Sequence, residues 1–154
     1  MNRIKGTSLL LAVLVGCFTA LPASAAGVGP RIGLTIDPDQ VHAGLHVHAA
    51  ELSRHVAFDP SFDLGAGDDL LLFAANFDFK YVFSNRLDRW RPYLGGGPGL
   101  FVASYDGHDS NTDVGVSFIG GMQTATRRGY FFGEMRLGLV DSPDVKFTAG
   151  WIFF

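Results

Sequence analysis

The sequence predicts an all-β chain that closes into an eight-stranded, antiparallel, up-and-down β-barrel. Three observations lead to this prediction. Polar and apolar residues alternate with a period of two along most of the chain, as they do in strands whose two faces meet different surroundings. The 20 glycines and 14 phenylalanines favour strands and close backbone approaches over helices. The alternating segments number eight, an even count that brings both ends of the chain to one side of a barrel.

The segment 70–83 shows the clearest alternation. One face carries Asn76, Asp78 and Lys80. The other face is a wall of apolar side chains: Leu71, Phe73, Ala75, Phe77, Phe79, Tyr81 and Phe83. Only a strand separates the two sets in this way, and the apolar wall is long enough to cross the apolar band of a membrane barrel. The segment therefore predicts a transmembrane β-strand.

Seven further segments alternate in the same way. They are 31–37, 41–49, 56–64, 92–105, 114–122, 131–139 and 145–154. Turn sequences such as Asp37-Pro38-Asp39 separate them. Pro60 is an unusual member of its segment, because proline cannot donate to a strand ladder and prefers edges or bulges. Eight is the smallest even number of strands that closes a transmembrane barrel, and side chains fill the interior of a barrel of this size.

The polar faces of these strands are predicted to line the barrel interior. They carry Arg31, Asp59, Asp63, Asn76, Asp78, Lys80, Glu134, Arg136 and Lys146. Because an unpaired charge is costly in a closed interior, this set predicts a network of ion pairs. Its alternative role is a narrow path for ions or protons. The inward glycines Gly95, Gly97 and Gly99 predict room for a large neighbouring side chain.

Residues 1–25 are predicted to be a secretory signal peptide, and 26–154 the mature barrel domain. Arg3 and Lys5 precede an apolar stretch that ends in the cleavage pattern Ala23-Ser24-Ala25. Removing these two cations changes the formal net charge from −3 to −5. The predicted mature chain therefore lacks the basic character of a nucleic-acid-binding protein.

Cys17 is the sole cysteine and lies within the predicted signal, so no disulfide is expected in the mature chain. The residues before it, Leu14-Val15-Gly16, resemble a bacterial lipobox. Cleavage there would leave a lipidated Cys17, whereas the apolar stretch that continues past Cys17 favours cleavage after Ala25.

Charge segregates between alternate connections of the predicted barrel. One set carries only acids: Asp37, Asp39, Asp68, Asp69, Asp106, Asp109, Asp113, Asp141 and Asp144. The other set carries Arg54, Arg86, Arg89, Arg91, Arg127 and Arg128. With the N-terminus in the periplasm, the acidic rim would face outward and the basic rim inward. Divalent ions that bridge the acidic rim to lipopolysaccharide phosphates are a further hypothesis.

Four stretches resemble the small outer-membrane β-barrel proteins of Gram-negative bacteria, the group of OmpA-, OmpX- and OmpW-type barrels. They are PYLGGGPGL at 92–100, NFDFKYVF at 76–83, FGEMRLGL at 132–139 and the terminal GWIFF. The resemblance implies a monomer in the outer membrane, in contact with its lipids and lipopolysaccharide. It also implies that the barrel-assembly machinery inserts the chain and reads Trp151, Phe153 and Phe154 as an assembly signal. No cofactor is implied.

The function expected from these features is a structural or surface-interaction role without catalysis. One alternative is a lipid A deacylase, because His108-Asp109-Ser110-Asn111 is similar to the motif of those outer-membrane hydrolases. Ser110 would then attack an ester, His108 would be its base, and Glu134 is the one nearby glutamate that could orient the histidine. The other alternative is a soluble, lipocalin-like periplasmic barrel with its apolar face inside, around a lipid ligand.

Three histidines, His42, His46 and His48, share one face of the second predicted strand. His46 and His48 are close enough along a strand to bridge a metal ion. Histidines in a polar interior are more often hydrogen-bonded fillers, so no metal site is predicted.

Overall fold

The computed structural model describes residues 27–37, 39–67, 70–105, 110–141, 143 and 145–154. These residues form nine strands: β1 (Gly27–Ile36), β2 (Gln40–His48), β3 (Ala50–Ser53), β4 (Val56–Gly67), β5 (Leu70–Val82), β6 (Trp90–Tyr105), β7 (Asn111–Thr126), β8 (Gly129–Val140) and β9 (Val145–Phe153). None of the described residues forms a helix long and apolar enough to cross a membrane. The signal peptide at 1–25 with Cys17, and also His108, lie outside the described residues.

The strands close into one antiparallel barrel. Each strand pairs with its neighbours in chain order, and β1 pairs with β9 as well as with β2. Both β2 and β3 pair with β4, so that together they form one strand of the barrel wall. The wall therefore has eight strands, and the predicted fold is confirmed.

A bulge interrupts the second barrel strand opposite Pro60. The pairing with β4 is displaced by one residue between His46↔Ser61 and Ala50↔Phe58. Because Pro60 has no N–H to donate, it is tolerated at this irregularity. The strand then continues through β3, where the sequence predicted a connection.

Other strands were also predicted to be shorter than they are. β1 starts at Gly27 rather than at 31, and β7 runs from Asn111 to Thr126 rather than over 114–122. Arg91 and Asp113, predicted in connections, are strand residues. The ladder hydrogen bonds continue past the point where apolar alternation fades, because they depend on the backbone rather than on side-chain polarity.

The apolar faces point outward and the polar faces inward. On β5, Phe79 and Tyr81 are 48% and 47% exposed, whereas Asp78 and Lys80 are buried. A lipocalin-like barrel requires the opposite arrangement around its ligand. The lipocalin-like alternative is therefore wrong for this chain.

The inward glycines of β6 act mainly by letting backbones approach. A Cβ on Gly95 or Gly97 would overlap a carbonyl oxygen of β5, that of Phe79 or Phe77 respectively. Only at Gly99 is the space taken by side chains, with the Phe101 ring 2.8 Å from the position of an added Cβ. The prediction of room for a large side chain was wrong at the first two glycines, because the backbone of the paired strand β5 lies directly against them.

Candidate functional site

The predicted interior residues are all buried within the barrel. They come from five strands: Arg31 from β1, Asp59 and Asp63 from β4, Asn76, Asp78 and Lys80 from β5, Glu134 and Arg136 from β8, and Lys146 from β9. Each occupies the inward position of an alternating strand. We refer to these nine residues as the lumen set.

The charges of the lumen set balance. Among the described residues, the buried cations are Arg31, Lys80, Arg136 and Lys146, and the buried carboxylates are Asp59, Asp63, Asp78 and Glu134. Four positive charges thus face four negative ones in a region that excludes most water. Such a set is tolerated only if each charge is paired and hydrogen-bonded.

Arg136 and Asp78 form a bidentate ion pair across the lumen from β8 to β5. Arg136 Nη1 donates to Asp78 Oδ1 at 2.9 Å, and Nη2 donates to Asp78 Oδ2. Arg136 Nη1 also donates to Ser117 Oγ on β7 at 2.6 Å. The planar guanidinium fork suits this geometry, which a lysine could not reproduce.

The other six charged residues form a chain of alternating sign. Its contacts are Lys146–Asp63 at 3.1 Å, Asp63–Arg31 at 3.0 Å, Arg31–Glu134 at 3.3 Å, Glu134–Lys80 at 3.1 Å and Lys80–Asp59 at 3.6 Å. Within this chain, every charge between the two ends touches two partners of opposite sign. The chain links β9, β4, β1, β8 and β5, and therefore ties opposite walls of the barrel together.

Aromatic rings surround the ammonium group of Lys80. Its Nζ lies 4.8 Å from the ring centre of Tyr93 and 5.3 Å from that of Phe132. The hydroxyl of Tyr93 donates to Glu134 Oε2 at 3.0 Å. Cation–π contacts thus supplement the ion pairs where Lys80 has left water.

The histidines join the network through Asp59 and Arg31. Arg31 Nη1 lies 3.2 Å from His46 Nδ1, whereas Lys80 Nζ and Asp59 Oδ2 lie 3.3 and 3.4 Å from His46 Nε2. His48 Nδ1 donates to the other oxygen of Asp59 at 2.7 Å. These contacts make His46 and His48 hydrogen-bonding members of the network. No group of three metal-ligating side chains occurs among the described residues.

The sequence reasoning missed several hydroxyl-bearing members of the interior. Thr35 Oγ1 and Thr148 Oγ1 lie 3.1 and 3.0 Å from the ring nitrogens of the predicted interior histidine His42, and Ser117 Oγ accepts from Arg136. Tyr93 was also missed. All of them lie on inward strand faces, so the alternation itself could have identified them if hydroxyl side chains had been counted.

Apolar clusters lie on both sides of the charged layer. Tyr93, Ile119, Phe132 and Ile152 pack together toward the end that holds Gly27 and Phe154. Leu72, Ala74 and Phe101 pack together toward the opposite end. The charges therefore lie between two layers that contain buried apolar side chains.

Among the described residues, the two ends of the barrel differ in charge, as the alternate connections of the sequence predicted. The end with Gly27 and Phe154, which we call the basic end, carries Arg54, Arg86, Arg89, Arg91, Arg127 and Arg128. The opposite, acidic end carries Asp37, Asp39, Asp113 and Asp141, and five further predicted rim aspartates lie outside the described residues. A cavity of about 240 Å³ at the basic end is lined by His48, Asp59, Arg91 and Tyr130, among others.

The three residues of the predicted assembly signal face two ways. Trp151 and Phe153 stack on the outer face with ring centres 5.9 Å apart. The Phe154 ring instead packs edge-on against His48 at 5.6 Å, near the mouth of the lumen. The outer face at the C-terminus thus ends with Phe153.

The structure describes only part of the predicted hydrolase motif. Ser110 is exposed at the acidic end, and His108 lies outside the described residues. Glu134, expected to orient the histidine, is buried in the lumen, where it contacts Arg31 and Lys80. The structure therefore does not bring Glu134 and Ser110 together.

Several solved structures are similar to this chain, including these three. Neisserial surface protein A matches with a TM-score of 0.65 and 15% identity, over 83% of this chain and 94% of its own. The N-terminal β-barrel domain of Pseudomonas aeruginosa OprF matches with a TM-score of 0.63 and 12% identity, over 83% and 96%. Ail, the attachment invasion locus protein of Yersinia pestis, matches with a TM-score of 0.51 and 16% identity, over 82% and 91%.

These three proteins are small eight-stranded outer-membrane β-barrels, and the chain has their fold. No protein-family model matches the sequence, and no curated protein does. At 12–16% identity, the likeness concerns the fold alone.

Proposed function

We propose that this chain is an outer-membrane β-barrel protein with a side-chain-filled lumen and a structural or surface-interaction role. The observation that carries the proposal is the inverted polarity of the barrel. Four buried cations form ion pairs with four buried carboxylates inside, and apolar side chains lie outside. Water cannot stabilise an exposed apolar belt of this extent, whereas lipid chains can. The likeness to outer-membrane barrels supports the same location.

The orientation belongs to the proposal as well. Gly27 and Phe154, the first and last described residues, lie at the basic end, and export by a signal peptide would leave this end in the periplasm. The acidic end would then face outward, next to lipopolysaccharide. The barrel-assembly machinery and the membrane lipids are the partners that this location requires, and a monomer suffices because the wall closes on itself.

The proposal includes no catalytic role. The buried carboxylates and histidines of the described residues have partners inside the lumen, where a lipid ester has no access. The remaining hydrolase alternative concerns Ser110 and His108. Lipid A analysis in cells that carry Ser110→Ala tests it: deacylation that needs Ser110 would contradict the proposal.

An arginine scan on the outer surface tests membrane insertion. Ile32 and Leu87 are 60% and 61% exposed, but Ile32 is mid-strand and Leu87 lies in the connection at the basic end. If lipid covers the strands, Ile32→Arg should lower the free energy of unfolding by about 2–4 kcal/mol. The control Leu87→Arg should leave it nearly unchanged. Equal effects would indicate that water covers both positions.

Membrane extraction gives an independent check. The native protein should remain with outer membranes through carbonate washing and should change its gel mobility after boiling in SDS. Release into the soluble periplasmic fraction would contradict the proposal.

A further inference from the structure

The aromatic side chains of the outer surface concentrate at the basic end. A continuous arc of rings crosses β6, β8 and β9: Trp90 to Phe131 at 6.1 Å, Phe131 to Trp151 at 6.1 Å, and Trp151 to Phe153 at 5.9 Å. A second group on β4 and β5 joins Phe58 to Phe79, and Tyr81 to Phe83, each at 5.1 Å. We call these residues together the aromatic belt.

The acidic end has no comparable belt among the described residues. Its exposed large side chains are mainly aliphatic, with Phe147 as an aromatic exception, and they include Leu34, Ile36, Val41, Leu64, Leu71, Val114, Leu139 and Val140. The amphipathic rings of Trp and Tyr, represented in the belt by Trp90, Trp151 and Tyr81, prefer the headgroup level of a bilayer. The belt therefore marks the depth at which the basic end meets the lipid headgroups.

The arginines of the basic end lie beside this belt and are mostly unpaired. Arg89 has a carboxylate partner within 4 Å, the exposed Asp88 at 3.8 Å. Within the described residues, the other five arginines have none. Arg127 and Arg128 form the turn between β7 and β8, next to the strand ends that carry Trp90 and Phe131.

Unpaired arginine beside an aromatic belt matches one chemistry in a bilayer. A guanidinium fork binds a phosphodiester through two hydrogen bonds, and the ring faces cover the glycerol and upper acyl region. The basic end holds no lysine, and its only acids among the described residues are Glu51 and Asp88. Anionic lipid is therefore attracted to this end, whereas the aspartates repel it at the other.

We propose that the basic end binds anionic glycerophospholipids of the leaflet that surrounds it, through Arg89, Arg127, Arg128 and the neighbouring arc of rings. The proposal rests on membrane insertion, the function proposed above. It adds a lipid preference, and it explains why the chain places arginine at one end and aspartate at the other. Phosphatidylglycerol is the probe chosen to represent this lipid class.

The tryptophans make the preference measurable. The chain has two tryptophans, and both Trp90 and Trp151 belong to the belt. The vesicles contain phosphatidylcholine and phosphatidylglycerol, and one of the two lipids carries bromine on its acyl chains. The bromine quenches the fluorescence of the tryptophans that this lipid contacts. Because one lipid headgroup meets one arginine, an interaction of about 1 kcal/mol near the surface, brominated phosphatidylglycerol should be favoured on the order of fivefold over its share of the bilayer.

Matched variants assign the preference to the arginines. The triple variant Arg89→Gln, Arg127→Gln, Arg128→Gln should lower the enrichment of phosphatidylglycerol around the tryptophans to about one. The corresponding triple variant with lysine should retain part of the enrichment. Asp37→Asn with Asp141→Asn at the acidic end should leave it unchanged. These side chains are exposed, and a boiling-dependent gel shift verifies that each variant is folded.

The outcomes separate this proposal from the function on which it rests. If the native protein inserts into vesicles and shows the boiling-dependent gel shift, but both lipids quench its tryptophan fluorescence equally, only the lipid preference is overturned. Protein that is quenched by neither lipid and shows no gel shift would overturn membrane insertion, and the lipid preference with it. Loss of the preference in millimolar inorganic phosphate would show that the arginines bind free phosphate rather than the lipid.

Discussion

Arg136 illustrates the chemistry of the lumen at the scale of one residue. Its guanidinium spans the interior to Asp78 and also binds Ser117, and all three side chains are buried. Taking both charges out of water is costly, and the bidentate contact offsets that cost only while both partners are present. The pair is therefore more sensitive to the loss of one member than to the replacement of both.

Arg136→Met should lower the free energy of unfolding by about 3–5 kcal/mol, because it leaves Asp78 charged, buried and unpaired. Urea unfolding of the barrel in lipid vesicles measures this change. The double variant Arg136→Met with Asp78→Leu should recover most of the loss.

The exposed pair Arg89–Asp88 provides the control for this experiment. Arg89→Gln should change the free energy of unfolding by about 0–1 kcal/mol, since water already screens both charges. If Arg136→Met cost no more than Arg89→Gln, water would have to reach the lumen freely.

At the scale of the element, glycines have different tasks in β6 and β8. A Cβ on Gly97 would overlap the carbonyl oxygen of Phe77, whereas a Cβ on the outward-facing Gly133 would meet no atom within 4 Å. Gly97→Ala should therefore lower the free energy of unfolding by about 1–3 kcal/mol through backbone strain. Gly133→Ala should raise it by about 0.4–1 kcal/mol, because it restricts the unfolded chain.

The same urea titration compares the two glycine variants. Equal effects at both positions would mean that glycine acts through the flexibility of the unfolded chain rather than through the contact between β5 and β6.

The last strand, β9, allows a prediction about assembly. Trp151 and Phe153 form a stacked pair on the outer face, whereas the Phe154 ring, although 64% exposed, lies against His48 at the mouth of the lumen. Trp151→Ala with Phe153→Ala should strongly reduce the amount of heat-modifiable barrel in the outer membrane, and Phe154→Ala should reduce it less. The measurement is the folded fraction on unboiled gels at matched synthesis. A larger loss from Phe154→Ala would identify Phe154 as the residue that is recognised.

At the scale of the whole molecule, the order of charged and apolar layers allows a test of the proposed side-chain-filled lumen. Eight strands leave an interior that side chains can fill, and here a charged layer lies between two apolar clusters. Vesicles that contain the protein should therefore not swell in arabinose, whereas vesicles with a 16-stranded porin should swell. Rapid swelling with this chain would contradict a side-chain-filled lumen.

The sequence predicted the barrel because its strands alternate so regularly. Residues such as Asp78 and Phe79 differ sharply in polarity and are adjacent in sequence, so a period of two is visible without any tertiary information. The segregation of aspartate and arginine between alternate connections depends only on strand count. The same alternation also gave the membership of the lumen set.

Partners within the lumen could not be predicted. Asp78 pairs with Arg136, 58 positions away, although Lys80 is its closer neighbour in the sequence and on the same face. Which cation pairs with Asp78 depends on the strand register, on the stagger of the barrel and on the bulge opposite Pro60. Each of these displaces one strand along its neighbour by one residue or more.

The sequence by itself thus determined the number of barrel strands, which residues share a strand face and the charge of each end, because alternation and turn chemistry are local properties. Only the tertiary structure decided that the apolar face lies outside, that Phe154 turns toward the lumen, and that Arg31 bridges Asp63 and Glu134. These features depend on closure, since an alternating strand has two faces and only the closed wall makes one of them the interior.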